Sequence, residues 1–157
     1  MRKERERRTL ETAGMLFTLL FGNLLHFVYD WTGQAGWAAY LSAVNESTWE
    51  HMKLLFFPML ALVLFLFFKL PEQSPIPVAL SIGTLVGLAL IPILFYTYTG
   101  VLGFSVMAID IAIFYISVLG AFLIEWFLND NRELANRRGL LLTCLVILAI
   151  LFFIFSY

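Results

Sequence analysis

The sequence predicts an all-α fold, a polytopic membrane helix bundle of five transmembrane helices. Its 157 residues are 61% hydrophobic, with a mean hydropathy of +0.88, whereas a soluble domain is usually about 45–50% apolar. Charged residues make up only 13% of the chain, and five apolar stretches are each long enough to cross a bilayer. These stretches predict one transmembrane domain over residues 1–157, with spans at about 9–30, 47–70, 77–98, 104–128 and 139–156.

Basic residues are unevenly divided between the two ends of these spans. Nine of the ten Lys and Arg residues fall on the side of the N-terminus, and only Lys53 falls on the other. Lys and Arg are enriched in cytoplasmic loops, so we expect a cytoplasmic N-terminus and an external C-terminus. The net charge of -1 predicts no nucleic-acid partner. Membrane lipids are the expected partners.

The first span carries a polar stripe near its second end. Asn23, His26 and Asp30 are spaced by three and four residues, which places them on one face of a helix. A polar stripe on a membrane helix faces protein or water rather than lipid. This face is therefore a candidate part of a functional site.

The connection over residues 31–46 is too apolar for an ordinary solvated loop and too short to span. It contains Trp31, Trp37 and Tyr40, residue types enriched at membrane interfaces. We predict a short interfacial or re-entrant helix here, lying as a lid over the polar residues that follow.

The second span begins with a cluster of polar side chains, Asn45-Glu-Ser-Thr-Trp-Glu-His51. Ser47-x-x-Glu50 is a capping-box pattern, which gives both residues a structural explanation. In the third span, Gly83 and Gly87 form a small-x3-small pattern that is typical of close helix packing. It suits contact within the chain or a homo-oligomer. The fourth span carries Asp110 six residues after its start.

The alternation of spans brings these polar groups to one membrane depth, near the outer face. A charged residue at the centre of a membrane helix costs about 2.5–3.5 kcal/mol, so a shared layer of such residues favours a ligand or catalytic site over chance. A structural polar network is the alternative. The layer contains both histidines of the chain and four carboxylates: His26, Asp30, Glu46, Glu50, His51 and Asp110.

A divalent metal such as zinc is the first chemistry that suits this layer. Imidazoles and carboxylates from different helices are its usual ligands, and His26, His51 and Asp110 form the expected ligand set. Asp30, one turn from His26, is a further metal ligand or orients that imidazole. Metal-bound water would need a base, for which Glu50 and Glu46 are candidates. Ser47, one turn before His51, is the remaining catalytic candidate.

Two resemblances add to this interpretation. The segments His26–Trp31 and Asn45–Pro58 resemble a family of small bacterial multispanning membrane proteins of unknown function, which share an Asn-Glu-Ser-x-Trp-Glu-His motif. That resemblance implies a bacterial inner-membrane location and no activity. Ser47-x3-His51 with Asp110 also resembles the alkaline ceramidase and progestin/adiponectin-receptor-like hydrolases, which bind zinc. Five predicted spans instead of seven, and a missing third histidine, depart from that superfamily.

Three functional hypotheses follow. The first is a metal-dependent hydrolase of a lipid ester or amide. The second is a binding protein without turnover, in which His26 and His51 ligate a haem or the carboxylates serve cation- or proton-coupled transport. The third is a structural subunit whose polar layer satisfies buried groups.

Overall fold

The computed structural model describes residues 2–156, including the side chains of residue 5 and of residues 7–156. In this part of the chain 82% of the residues are helical, the rest form turns and irregular segments, and there is no strand. A short 3₁₀ helix, Arg132–Arg137, precedes the last of six α-helices. The helices are α1 Arg2–Trp31, α2 Gly36–Ala39, α3 Thr48–Lys69, α4 Ile76–Leu102, α5 Met107–Leu128 and α6 Arg138–Ile154.

Five of the described helical segments are long and apolar enough to cross a membrane, which confirms the predicted fold class. The outward faces of these helices carry large apolar side chains. Leu20, Phe68 and Phe127 are 59%, 89% and 70% exposed, which is unfavourable in water over so wide a surface and favourable in lipid. The segments are Arg7–Trp31, Thr48–Lys69, Ile76–Leu102, Met107–Leu128 and Arg132–Ile154.

Two helix boundaries differ from the sequence-based expectation. The third long helix continues to Leu102 rather than ending near residue 98, and the next begins at Met107 rather than residue 104. Gly103 ends α4 because its φ of 80° lies in the left-handed region, and its N–H donates to the Thr99 carbonyl. The segment 31–46 contains only the four-residue helix α2.

Polar contacts define the two ends of the bundle. At one, Arg7 Nη1 donates to Asn129 Oδ1 at 2.5 Å, and Arg138 Nη2 donates to the Phe67 carbonyl at 2.5 Å. We call this the basic end, because the N-terminal basic residues, Lys69 and the arginines between α5 and α6 all lie there. The opposite end, where α1 ends and α3 begins, is called the histidine end.

The predicted small-residue face of α4 packs inside the chain. A Cβ on Gly83 would overlap the Ala121 carbonyl oxygen, and one on Gly87 would lie 2.9 Å from the Ser117 carbonyl oxygen. Only glycine permits so close an approach of α5. The face that the sequence offered for contact between two copies is thus covered by α5 of the same chain.

Candidate metal centre

The two histidines and one glutamate meet at the histidine end of the bundle. His51 Nε2 lies 3.3 Å from Glu46 Oε2, and His26 Nε2 lies 3.9 Å from Glu46 Oε1. One ligand atom from each of the three residues lies within 4.8 Å of the other two. The imidazole rings stack with centroids 5.5 Å apart and 29° between their planes.

Close packing of α1 on α3 brings the two imidazoles together. A Cβ on Gly22 would lie 2.7 Å from the Leu54 carbonyl oxygen. Pro58 lacks the N–H that would normally bond to that carbonyl, so the α1 backbone approaches an acceptor with no helical donor. His26 follows Gly22 by one turn and His51 precedes Leu54 by one turn, and these antiparallel helices therefore place both rings at one level.

A backbone carbonyl sets the tautomer of His51. Its Nδ1 lies 3.0 Å from the Ser47 carbonyl oxygen, which can only accept, so Nδ1 carries a proton. Nε2, the other ring nitrogen, points toward the carboxylate of Glu46. A lone pair facing a carboxylate oxygen is repulsive, and a cation bound to both atoms, or a proton shared between them, would relieve that repulsion.

A buried ion pair holds the segment that carries Glu46. Lys53 Nζ lies 2.6 Å from Glu50 Oε2, and Lys53 is fully buried while Glu50 is 2% exposed. Each partner also bonds the 31–46 segment: Lys53 donates to the Ala39 carbonyl at 2.7 Å, and Glu50 accepts from Val44 N–H at 2.9 Å. The segment is thereby fixed two residues before Glu46.

The remaining contact of Lys53 joins this segment to the C-terminal end of the chain. Lys53 Nζ donates to Ser156 Oγ at 3.1 Å, and Ser156 in turn donates to the Phe152 carbonyl. Sequence reasoning treated Lys53 only as the one cation on its side of the membrane. The Glu50-x-x-Lys53 spacing was the available signal, because residues three apart on a helix are neighbours.

Two of the predicted catalytic residues have structural contacts. Ser47 is the N-cap of α3, and its side chain accepts from Glu50 N–H at 3.3 Å, as the capping pattern predicts. The carboxylate of Glu50 is bound by Lys53 and by the N–H of Val44. It therefore does not contact the histidines, as a catalytic base there would. Glu46, the third catalytic candidate, lies in the cluster with His26 and His51.

Asp110, an expected metal ligand, lies beside the cluster rather than in it. It accepts a hydrogen bond from Tyr98 Oη, and Tyr98 Oη accepts from Val106 N–H at 3.0 Å. Asp110 and His51 nevertheless line one small cavity of about 30 Å³, with Thr48 and apolar side chains of α4 and α5. Its volume suffices for one or two water molecules.

Asp30, the other expected ligand, is exposed near the end of α1 and is outside the group of side chains that can hold a metal ion together. Asn23, from the same polar stripe, turns to α5: its Nδ2 donates to the Leu19 carbonyl at 2.7 Å and to Tyr115 Oη at 3.1 Å. Of the predicted polar layer, the structure therefore brings His26, His51 and Glu46 into one cluster.

The cluster leaves room for further ligands. The side chains of His26 and His51 are 34% and 28% exposed, and that of Glu46 is 81% exposed. Two histidines and one carboxylate with an open position are the composition of catalytic zinc sites. The three side chains are thus close enough together for one divalent cation to contact all of them.

Comparison with known proteins gives a family without an assigned activity. No curated protein matches the chain, and no solved structure matches it. The description of the family model that matches residues 2–157 is "Family of unknown function (DUF6512)". The expected membership of a family of unknown function is confirmed in this form, while the shared motif and the resemblance to alkaline ceramidases stay predictions. This integral membrane protein therefore belongs to the DUF6512 family.

Proposed function

We propose that this protein binds one divalent metal ion, zinc being the best fit, through His26, Glu46 and His51 at the histidine end of the bundle. The observation that carries the proposal is the pair of imidazole nitrogens converging on one carboxylate. In a tetrahedral zinc site with bonds of about 2.0–2.1 Å, ligand atoms lie about 3.4 Å apart. The distances of 3.3 and 3.9 Å to the Glu46 oxygens are close to that value.

The surroundings of His51 support a metal ligand. Its Nδ1–H is held by the Ser47 carbonyl, as the second nitrogen of a metal-binding histidine usually is. Glu46 comes from a segment that the buried pair of Glu50 and Lys53 fixes.

The chemistry that we propose for the site is hydrolysis of a lipid ester or amide. A metal lowers the pKa of its bound water to about 7 and polarises a carbonyl. His26 and His51 lie only about 4–8 Å along their helices from the ends of α1 and α3. Trp31 and Trp37, 67% and 60% exposed, flank this level as interfacial tryptophans do. Lipid ester and amide carbonyls lie in that same region.

Asp110 is the carboxylate best placed to handle a proton in such a reaction. It shares the small cavity with His51, whereas Glu50 is bound to Lys53. Asp110 would take a proton from the water molecule as that water adds to the carbonyl carbon. As the ester or amide bond breaks, Asp110 would give this proton to the leaving alcohol or amine. Tyr98 Oη, bonded to Asp110, would orient the carboxylate.

Haem is a poorer fit to the same two histidines. Axial ligands point at the iron from opposite faces of the porphyrin, whereas these rings stack side by side at 5.5 Å, with Glu46 next to both Nε2 atoms. The strongest rival is a metal-free cluster in which a protonated imidazole pairs with Glu46. That arrangement would suit proton-coupled transport or a structural subunit.

A titration with Co²⁺ in place of Zn²⁺ tests metal binding directly. In detergent-purified protein, we expect one equivalent of Co²⁺ to produce the visible bands of a low-coordinate nitrogen–oxygen site, and Zn²⁺ to displace it. Glu46→Gln and His26→Ala should weaken binding, while Asp30→Asn should not. Equal, weak binding by all four proteins would disprove the proposal.

Turnover is tested separately with lipid esters and lipid amides presented in mixed micelles. We expect the zinc-loaded protein to release fatty acid, and Glu46→Gln and Asp110→Asn to lose that release. Asp110→Asn should keep its metal, which separates a role in proton transfer from one in binding. Metal binding without release of fatty acid would reject the hydrolase proposal and leave the proposal that the protein only binds metal.

A further inference from the structure

A large open groove lies at the basic end, away from the histidine cluster. Its volume is about 1390 Å³, and its walls come from α1, α3, α4 and α5. Small-molecule pockets are usually about 300–1,000 Å³, so the groove suits a longer ligand. It extends along α1 from Arg5 to Phe17, a distance of about 18 Å at 1.5 Å per residue.

Polarity is divided along the length of the groove. Its inner part is lined by apolar side chains, among them Phe17, Leu62 and Phe122. Its mouth at the basic end is lined by Arg5 and Lys69, both of which are exposed. A charged mouth on an apolar trough matches an amphiphile with an acyl chain and an anionic headgroup.

One oxygen of a buried acid next to the mouth has no hydrogen-bond partner among the described residues. Glu125 is 2% exposed and lines the groove, yet its Oε1 has no hydrogen-bond partner among the described residues. Buried polar atoms are nearly always hydrogen-bonded, so this oxygen can accept a hydrogen bond from a ligand in the groove. A headgroup hydroxyl is such a donor.

The neighbouring polar residues contact one another, although Arg7 Nε, Glu11 Oε1 and Asn129 Nδ2 also lack hydrogen-bond partners among the described residues. Arg7 Nε lies 3.5 Å from Glu11 Oε1, and Arg7 Nη1 binds Asn129 and Asp130 across the mouth. Arg7 lines the groove while its guanidinium is bound to these acceptors, and Arg5 and Lys69 remain at the rim to meet a phosphate.

We propose that this groove binds one anionic phospholipid with a hydroxyl-bearing headgroup, of the phosphatidylglycerol class. The acyl chain lies along Phe17, Leu62 and Phe122, the phosphate meets Arg5 and Lys69, and a headgroup hydroxyl donates to Glu125 Oε1. This site is independent of the metal centre, because the groove and the histidine cluster share no residue.

Native mass spectrometry of the purified protein, titrated with phosphatidylglycerol or with phosphatidylcholine of the same acyl chains, tests the proposal. We expect saturable binding of one phosphatidylglycerol and clearly weaker binding of phosphatidylcholine. Each basic residue near a membrane surface contributes about fivefold to such binding, so Arg5→Gln with Lys69→Gln should weaken it about 30-fold. The matched control is Arg132→Gln with Arg137→Gln, which removes the same charge from exposed positions outside the groove.

A second pair of variants tests the apolar inner part of the groove. Ala61 lines the groove and is exposed, so Ala61→Trp should block the acyl chain and abolish binding of both lipids. Ala112→Trp adds the same bulk on an exposed face elsewhere and should change nothing. Equal binding of the two lipids, or equal losses in a variant and its control, would show ordinary annular lipid and overturn the proposal.

Discussion

Lys53 and Glu50 form a fully buried ion pair one turn inside the membrane helix α3, with 2.6 Å between Nζ and Oε2. The pair does more than neutralise itself, because Lys53 also bonds Ala39 and Glu50 also bonds Val44. The segment that delivers Glu46 to the histidines is therefore tied to α3 by both members of the pair.

Removing one member of this pair should be strongly destabilising. Lys53→Met leaves the Glu50 carboxylate buried and unpaired, which costs about 3–5 kcal/mol. Hydrogen exchange should accelerate over residues 36–46, since that segment loses its anchor. Thermal unfolding in detergent and exchange mass spectrometry measure the two effects.

The matched control for that change is the double variant Glu50→Gln/Lys53→Met. It removes both charges while Gln still offers an acceptor to Val44 N–H, so part of the lost stability should return. If the double variant is less stable than Lys53→Met, the buried Glu50 carboxylate does not need Lys53 to neutralise it, and the ion pair is not what holds residues 36–46 on α3.

Gly22 should control metal affinity without being a ligand. A Cβ there would lie 2.7 Å from the Leu54 carbonyl oxygen and 2.5 Å from Phe114 Cζ, so Gly22→Ala forces α1 away from α3 and separates the imidazoles. We expect Co²⁺ affinity to fall at least about tenfold, the lower end of the effect of disturbing a ligand's support. Gly100→Ala is the control, because nothing lies within 4 Å of its Cβ; similar affinities for the two variants would refute the packing argument.

Ser47 should act as a helix cap rather than as a nucleophile. Ser47→Ala should lower stability by about 1 kcal/mol, the usual effect of losing a cap. Ser47→Asp, which can also accept from Glu50 N–H, should restore most of that stability. Both variants should keep the metal, since only the Ser47 backbone carbonyl contacts His51. Loss of metal in Ser47→Asp with normal folding would argue against this role.

Acidification should release the metal. Imidazole binds a metal ion only through an unprotonated nitrogen, so protons compete for both histidines. Where histidine is mostly protonated, affinity should fall by up to about 100-fold per pH unit, and by about tenfold in His51→Ala. Zinc titrations between pH 5 and pH 8, with the indicator matched to each pH, measure these slopes. A pH-independent affinity would exclude the histidines as ligands.

The sequence was sufficient for the fold class because each long helix is recognisable as a long apolar stretch. It was also sufficient to bring His26 and His51 together, since both lie close to helix ends on the same side of the membrane. The position of Glu46 was harder to predict. It lies in a segment without regular structure, and only the tertiary contacts of Ala39 and Val44 with Lys53 and Glu50 fix where it lies.

Asp110 shows the limit of an argument from depth alone. Membrane depth correctly suggests that it lies near His51, and the two residues do line one cavity. Depth does not give the rotation of α5 or the partner that the carboxylate selects. Tyr98, in the last turns of α4, donates to that carboxylate. Its hydroxyl is held in place because Val106 N–H, in the loop between α4 and α5, donates to it.

The most direct test of the metal centre is the metal content of protein purified without chelators and reloaded with one equivalent of Zn²⁺. After dialysis, we predict about one zinc ion per chain in the wild type and in Asp30→Asn, and far less than one in Glu46→Gln and in His51→Ala, with all four proteins folded. Zinc retained by His51→Ala, or absent from the wild type, would contradict the proposed centre and favour a metal-free pair of imidazolium and carboxylate.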